Sequence, residues 1–316
     1  MLKREQFLGY NFIIADSIKN VAEEIMTQTI DGTCSGIPLI FTPNVDYVVK
    51  LNKAENKSIN DRLKGSAYIF PDGQPIVWAA RYYKRNIKHR LTGSDLFVEM
   101  YDIAKTNNVG TLLLTSSEST SNFYKQDYPG AYSYTLPFIQ PNDSDAFDKV
   151  IHDSVALIIR NKLKLVFIGV SFPKQDKIAL GIYDVLKAID YPDMPTIGLL
   201  GASLEFKAGI KKRAPIFFQE IGLEWFHRFL KEPRRLFKRY FIDCFKFLSI
   251  VRSNNSLDAE IIHNSTVVII EKNIIKLNEV QEEFVPKLFQ YSLVESHTFE
   301  PKKYKKSSSE LLSVNQ

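Results

Sequence analysis

The chain has 316 residues, of which 45% are hydrophobic and 24% charged, and its 41 Lys and Arg against 36 Asp and Glu leave a formal charge of +5. This composition is typical of a globular protein and excludes collagen-like, disordered and disulfide-framework chains, since only two cysteines are present. The N-terminus lacks the apolar stretch of a secretory signal, and no run reaches the ~18 apolar residues of a membrane span. We therefore expect a protein that is soluble or peripheral to a membrane.

Short apolar runs alternate with helical periodicity over the first two hundred residues. Near-continuous apolar strands separated by helices are typical of a parallel sheet that is covered on both faces. The pattern therefore predicts an α/β layered domain. The predicted strands are 37–41, 67–70, 111–115, 165–170 and 196–200.

Polar loops follow four of these strands. Ligands of open α/β sheets bind beyond the carboxyl ends of the strands, where such loops lie. Polar loops are common, so one alone would indicate little, but four together predict a composite polar site. The four loops are 42–46, 71–74, 171–176 and 201–205.

The positive charge is concentrated between residues 211 and 252, where 11 Lys and Arg stand against 4 Asp and Glu. From Trp225 to Leu248 apolar residues recur at helical spacing in one stripe, outside which only Ile242 and Phe247 fall. An aromatic stripe with a cationic opposite face suits an anionic membrane surface. The same stripe would also suit packing on the core or on a second subunit.

Three segments are expected along the chain. They are a catalytic core over 1–206, a basic amphipathic appendage over 207–250, and a segment of unknown role over 251–316. Residues 265–275 have the pattern of a small hairpin, and the chain from Pro301 onward has the composition of a disordered tail.

A series of ordered blocks between about residues 8 and 248 carries a specific family resemblance. Together these blocks resemble the WecG/TagA/CpsF glycosyltransferases (glycosyltransferase family 26). Several blocks in a fixed order are far more specific than one short motif. The blocks are 42–46, 71–78, 90–96, 169–176, 201–209, 212–215, 222–225 with Arg228, and 232–235.

The resemblance implies a Rossmann-like core with a C-terminal helical appendage that engages the membrane. It also implies an inverting, metal-independent enzyme of bacterial surface polysaccharide synthesis that needs no cofactor. The expected donor is a UDP-sugar of N-acetylmannosamine or glucose type, and the acceptor is a polyprenyl-diphosphate-linked saccharide. The expected location is cytoplasmic, at the inner face of the plasma membrane, and a homo-oligomer is compatible with this picture.

The resemblance assigns the catalytic base to Asp72, which would take the acceptor hydroxyl proton, while Gly73 leaves room for a sugar. Without the family, Asp72 would equally suit a helix cap or a Pro-Asp-Gly turn. Thr42 and Asn44 match active-site positions of the family and suit sugar hydroxyls, although a local turn would use the same side chains. Gln175 matches the active-site glutamine, and the next residue is Asp176 where the family has Glu.

The departing diphosphate requires positive groups or backbone N–H donors. Gly201 and Ala202 would let backbone N–H groups approach phosphate, and Glu205 would bond the ribose or uracil or simply begin a helix. Arginines suit diphosphate geometrically, although a charge run is more often a solvated face. The candidates are Arg213, Arg228, Arg234, Arg235 and Arg239, and the matching blocks add Gly73, Arg90, Gly93, Asp95 and Lys174.

Other functions are weighed against this one. Asp143-Ser144-Asp145 has the spacing of a metal-binding acid pair but stands in a polar loop, and the five histidines lack metal-ligand spacing. A sugar-1-phosphate transferase would share the substrates and break a different bond. A nucleic-acid-binding protein is disfavoured because the basic charge is confined to one segment. A dehydrogenase is disfavoured because no Gly-x-Gly-x-x-Gly follows a predicted strand.

Overall fold

A computed structural model describes residues 2–140, 142–215, 217–218, 224–231, 233–234 and 243–254 of the chain. Arg235 and Arg239 lie outside these ranges, as do the predicted hairpin at 265–275 and the predicted tail from Pro301.

Strands and helices alternate along the described chain. The strands are β1 Arg4–Phe7, β2 Tyr10–Ile13, β3 Ile37–Phe41, β4 Ser66–Ile69, β5 Thr111–Thr115, β6 Ala131–Thr135, β7 Leu165–Ile168 and β8 Thr196–Leu199. The helices are α1 Ile18–Asp31, α2 Val45–Leu51, α3 Lys57–Leu63, α4 Gln74–Tyr82, α5 Gly93–Thr106, α6 Glu118–Asp127, α7 Ser144–Asn161, α8 Lys174–Ala188, α9 Ser203–Lys207, α10 Glu224–Lys231 and α11 Asp243–Asn254. A short 3₁₀ helix covers Ala54–Asn56.

The eight strands form one sheet in the order β1-β2-β4-β3-β8-β7-β5-β6. Neighbouring strands are parallel throughout, except that β1 and β2 are antiparallel. Strands β4, β5, β7 and β8 are buried along their whole length, as their apolar sequences require of strands covered on both faces. The prediction of an α/β fold with a mostly parallel sheet is thus confirmed.

All five predicted strands are present, and of the three that the sequence pattern did not indicate, β1 and β6 form the two edges of the sheet and β2 lies next to β1. Strands β1 and β2 form a hairpin whose two-residue turn is Leu8-Gly9, with φ of 55° and 75°. This turn lacks the Asn-Gly or Asp-Gly signature of such hairpins, which is why it escapes notice. Strand β6 is partly exposed and contains Ser133 and Thr135, so it has no continuous apolar run.

Two apolar layers cover the sheet. One face carries α2, α3, α4, α7 and α8, and the other carries α1, α5, α6 and α9. Aromatic rings pack edge to face in both layers, with 5.2 Å between the centroids of Phe41 and Tyr47 and 5.0 Å between those of Phe97 and Phe167. Each fully buried large side chain contributes about 1.5–3 kcal/mol to folding, so these two layers stabilise the sheet that lies between them.

Helix α11 packs against α2 and joins the core through Phe247 and Val251, both buried. The predicted stripe is wrong for this helix, because it excludes Phe247 and includes Phe245, which is 44% exposed. The buried face is decided by where α11 docks on α2, and local periodicity does not contain that information. The three-segment division stays a prediction, and α11 runs across its boundary at residue 250. None of the described helices is long and apolar enough to cross a bilayer.

Candidate active site

The loops that follow five neighbouring strands meet at the carboxyl edge of the sheet. In the sheet order β4-β3-β8-β5, Asp72, Thr42, Gly201 and Ser116 lie in these loops, and Gln175 is the second residue of α8, which follows the loop after β7. The structure therefore brings the four predicted polar loops side by side and adds the loop after β5.

Asp72 is half-buried directly after β4, and its Oδ2 accepts a hydrogen bond of 3.2 Å from the Gly93 N–H. Burial raises the pKa of the Asp72 carboxyl, whereas the charge of Arg90 and the hydrogen bond from the Gly93 N–H lower it. The nearby Glu224 carboxylate also raises this pKa, and the charge of Arg213 lowers it. A carboxylate whose pKa is raised is a stronger base. The N-cap of α4 is Gly73, so Asp72 does not cap that helix.

Thr42 and Gly93 meet where the end of β3 touches the N-terminus of α5. A Cβ atom on Gly93 would lie 2.8 Å from the Thr42 Oγ1, a distance that Cβ atoms do not tolerate. Glycine at 93 thus allows α5 to approach close enough for its first N–H to reach Asp72. The structure gives Gly93 this positioning contact, and its predicted contact with substrate stays a prediction.

Asn44 and Gly73 lie opposite each other at the edges of two loops. The Asn44 Oδ1 accepts a hydrogen bond of 3.1 Å from the Tyr47 N–H and so caps α2, which is the local use that the sequence allowed. A Cβ atom on Gly73 would make ordinary contacts of 3.5 Å with Asn44, and its extended φ of −177° suits any residue. The described protein therefore has room for a side chain at 73.

Asp95 and Arg213, both predicted to bind substrate, form an ion pair with each other. The Arg213 Nη1 lies 2.5 Å from the Asp95 Oδ1, and the Thr92 hydroxyl donates to the Asp95 Oδ2 at 2.6 Å. Burial opposes ionisation of Asp95, but the hydrogen bonds from Arg213 and Thr92 outweigh it and lower the pKa of this carboxyl. Asp95 is thus a fixed anion that orients Arg213.

Glu224, the first residue of α10, reaches both arginines beside Asp72. Its buried carboxylate lies 3.4 Å from the Arg213 Nε and 3.6 Å from an Arg90 guanidinium nitrogen. Sequence reasoning placed Glu224 in a matching block but gave it no role. Its position in that block was the only signal, because no local pattern pairs it with Arg213, 11 residues earlier, or with the more distant Arg90.

Gln175 stands at the start of α8 and connects two other loops. Its Oε1 accepts from the Gly201 N–H at 3.2 Å, and its Nε2 donates to the Tyr47 hydroxyl at 2.8 Å. The Tyr47 hydroxyl in turn donates to Asp176. Tyr47 was missed by sequence reasoning, and Asp176 was noted only as a shorter replacement for Glu.

The loop after β8 is tied to its surroundings by Gly201 and Glu205. The Gly201 N–H donates to both the Ile168 carbonyl and Gln175, so it is already used within the protein. Glu205 is buried and accepts from Ser116 at 3.0 Å and Lys211 at 2.6 Å. Ala202 is the N-cap of the short helix α9.

The remaining predicted bases are less closely placed. Lys174 begins α8 and its Nζ lies 5.0 Å from the Phe138 ring centroid. Arg228 lies within α10, and Arg234 is exposed. Arg235 and Arg239 fall outside the described residues, so their predicted contacts stay predictions.

Two further features lie outside the loops of this site, namely the candidate metal-binding acid Asp143 and a cavity. Asp143 caps α7 by accepting from the Ala146 N–H at 3.0 Å, which is the role of its loop carboxylate. No group of three or more His, Cys, Asp or Glu residues suited to a metal occurs in the described part of the chain. A cavity of about 390 Å³ opens at the opposite edge of the sheet, between Cys34, Tyr183 and Thr196.

Comparison with known proteins gives the geometry a chemical context. The family model of the "Glycosyl transferase WecG/TagA/CpsF family" matches residues 6–259. Similar relatives come from Staphylococcus aureus strains MW2 and COL, and both are named N-acetylglucosaminyldiphosphoundecaprenol N-acetyl-beta-D-mannosaminyltransferase. Each is 28% identical over 187 residues, which cover 58% of this chain and 68% of the relative.

The family match covers most of the chain and includes every loop of the site described above, together with α10 and α11. The resemblance predicted from the sequence blocks is therefore confirmed. The chain belongs to the WecG/TagA/CpsF family and is a glycosyltransferase.

Proposed function

We propose that this protein transfers an N-acetylmannosamine-type sugar from a UDP-sugar to a polyprenyl-diphosphate-linked N-acetylglucosamine, with inversion and without a metal, in bacterial surface polysaccharide synthesis. The names of the relatives support the sugar and the acceptor. A parallel α/β sheet with polar loops at its carboxyl edge is the arrangement that Rossmann-like cores use for nucleotides, which supports a nucleotide-sugar donor.

The half-buried Asp72 carboxylate beside two arginines carries this proposal. Inversion by a single displacement needs one base that removes the acceptor hydroxyl proton as the oxygen attacks the anomeric carbon. The Asp72 Oδ2 is bonded to Gly93, while its Oδ1 has no hydrogen-bond partner among the described residues. Oδ1 is therefore the oxygen that we assign to the proton.

Arg90 and Arg213 would receive the diphosphate charge. Guanidinium groups form forked hydrogen bonds with phosphate, and the departing UDP gains negative charge as the glycosidic bond breaks. Glu224 and Asp95 hold these two groups beside Asp72 before substrate arrives. Thr42, Asn44 and Gly73 line the neighbouring loops and would contact the sugar.

The C-terminal part would contact the cytoplasmic membrane surface, where the lipid-linked acceptor resides. Phe226 and Leu230 of α10 are 37% and 59% exposed and lie four residues apart on one face of that helix. Lysine and arginine side chains near an anionic surface each contribute about 1 kcal/mol to binding. Exposed apolar groups together with the basic segment support a peripheral location at the inner face.

Product analysis with UDP-N-acetylmannosamine and undecaprenyl-diphosphate-linked N-acetylglucosamine tests the proposal. We expect a lipid-linked disaccharide and one UDP per transfer, both unchanged by EDTA, with the anomeric configuration read by NMR. Release of UMP would instead indicate the sugar-1-phosphate transferase. Absence of a disaccharide with this pair and with UDP-glucose would refute the proposal.

A further inference from the structure

One chain of hydrogen bonds joins helix α2, the N-terminus of α8 and the loop after β8. The Gly201 N–H donates to Gln175, Gln175 donates to Tyr47, and Tyr47 donates to Asp176. Gln175 is 3% exposed and Asp176 is fully buried, so water does not compete for these bonds.

The direction of this chain determines how the Gln175 amide is turned. A backbone N–H only donates, so Gly201 must face the Gln175 Oε1, which leaves Nε2 facing Tyr47. Because the Tyr47 oxygen accepts there, its own proton is directed at the Asp176 carboxyl. A flipped amide would place Nε2 against the Gly201 N–H, two donors face to face, and the Tyr47 hydroxyl would have to give up Asp176 in order to donate to the Gln175 Oε1.

We propose that Tyr47 and Asp176 are positioning residues that hold the Gln175 amide in one of its two orientations and thereby align the N-terminus of α8 with the loop after β8 for catalysis. This inference rests on the proposed active-site role of Gln175. Gln175 contacts Gly201 directly, whereas Tyr47 and Asp176 act through it from the buried side.

Asp176 accepts the hydrogen bond of the Tyr47 hydroxyl in surroundings that provide it with no cation among the described residues. No ion pair to Asp176 occurs among the described residues, and Tyr47 of α2 is the titratable side chain that contacts it, with Tyr10 of β2 beyond. The second carboxyl oxygen, Oδ2, is buried without a partner. Burial, only partly offset by the Tyr47 hydrogen bond, raises the pKa of Asp176 to about 7.

A double-mutant cycle on kcat/KM tests the inference with the substrate pair given above. Tyr47→Phe removes the hydroxyl but keeps the ring that packs on Phe41 and Phe172. We expect it to reduce kcat/KM at least tenfold in the wild-type background and to change it little in the Gln175→Ala background. This non-additivity arises only if Tyr47 acts through Gln175.

Two substitutions at Asp176 separate the hydrogen bond from the bulk of the side chain. Asp176→Asn keeps an acceptor for Tyr47, whereas Asp176→Leu removes it and keeps the branching at Cγ, so Asp176→Asn should retain more kcat/KM than Asp176→Leu. Tyr101→Phe is the matched control, because Tyr101 is also buried and bonds an aspartate, Asp127, without contacting the chain through Gln175. It should leave kcat/KM unchanged.

A stability series provides a readout that does not need the substrate. The folded pKa of Asp176 lies above its ordinary value of 3.8, so its contribution to stability is lost as pH rises through about 7. The thermal midpoint of the wild type should therefore fall relative to that of Asp176→Asn between about pH 4 and about pH 7, and the difference should stay level at higher pH. If the thermal midpoints of the wild type and of Asp176→Asn keep a constant difference over this range, the Asp176 carboxyl does not have the raised pKa that its burial implies.

The outcomes also separate this inference from the proposed function. Additive effects of Tyr47→Phe and Gln175→Ala, or wild-type kcat/KM in Asp176→Leu, would overturn the positioning role. Wild-type turnover in Gln175→Ala would instead show that the active-site role of Gln175 has failed. Urea unfolding of each variant identifies any loss that comes from misfolding.

Discussion

The Gly93 N–H donates a hydrogen bond of 3.2 Å to the Asp72 carboxylate, and this contact joins the N-terminus of α5 to the proposed base. A helix N-terminus carries partial positive charge, which favours a nearby carboxylate. Burial acts in the opposite direction and has the larger effect on Asp72, whose pKa is raised. The hydrogen bond from Gly93 thus orients the proposed base, while burial keeps the pKa of Asp72 raised.

Asp72→Asn should fold normally and lose nearly all transfer. The amide oxygen still accepts a hydrogen bond from the Gly93 N–H, so the loop is retained. The asparagine side chain, however, does not take up the proton of the substrate hydroxyl. General-base catalysis is worth about 10²–10⁴ in rate, and kcat should fall by that factor. The measurement is UDP release at saturating donor, with urea unfolding as the control. Turnover equal to that of the wild type would remove Asp72 from the mechanism.

Gly93→Ala should destabilise the fold by about 1–3 kcal/mol, because its Cβ would overlap the Thr42 Oγ1 at 2.8 Å. Adding Thr42→Ala removes the overlapping atoms and should recover part of that loss. Urea denaturation of the single and double variants measures both effects. Equal stability of Gly93→Ala and the wild type would show that α5 does not need this close approach.

Gly73→Ala should behave differently from Gly93→Ala. The new Cβ meets Asn44 at an ordinary 3.5 Å, so the free energy of unfolding should change by less than about 1 kcal/mol. If the space beside Gly73 holds the sugar, however, KM for the UDP-sugar should rise or kcat should fall. Unchanged kinetics would mean that the sugar does not occupy this space.

Glu224→Gln should move the acid limb of the kcat/KM profile to lower pH. Burial is the main reason why the pKa of Asp72 is raised, and the Glu224 charge raises it further, so removing that charge lowers it. A weaker base also gives a lower plateau. Asp243→Asn is the matched control, since Asp243 begins α11 and pairs with Lys246 at 3.6 Å. If the acid limb does not move in Glu224→Gln, the role of Glu224 is limited to holding α10 in place.

Phe226→Glu with Leu230→Glu should weaken binding to vesicles of anionic phospholipid. Burying such a side chain contributes about 1.5–3 kcal/mol, so the partition coefficient should fall at least tenfold. The control is Ile189→Glu, which replaces an apolar side chain of similar exposure after α8. Co-sedimentation measures vesicle binding. Gel filtration shows whether Phe226 and Leu230 instead pack against a second copy of the chain. Unchanged vesicle binding would contradict the membrane role of α10.

Much of the core and of the candidate site was predictable because its signals are local. Strands β3, β4, β5, β7 and β8 are apolar runs, and each ends in a loop rich in polar residues or glycine. The edge strand β6 and the β1–β2 hairpin were not predictable, because β1 and β6 are partly exposed and polar, Asn11 interrupts the apolar residues of β2, and the Leu8-Gly9 turn lacks the usual residues.

Side-chain partners were less predictable than positions. Asp72, Gln175 and Arg213 were candidates from the sequence, but whether each would face substrate or another residue was open. In the structure Arg213 pairs with Asp95, 118 residues away, and Gln175 with Tyr47, 128 residues away. These pairs depend on strand order, which determines which loops become neighbours.

The sequence by itself determined the α/β class, the family and the loops that carry the polar residues, because apolar periodicity and short motifs are properties of neighbouring residues. Only the tertiary structure decided that Glu224 stands between Arg90 and Arg213, that Asp176 is buried on Tyr47, and that Phe247 docks on the core. Such contacts form when distant segments pack together. Their energies come from burial and charge in the assembled site, which local patterns do not specify.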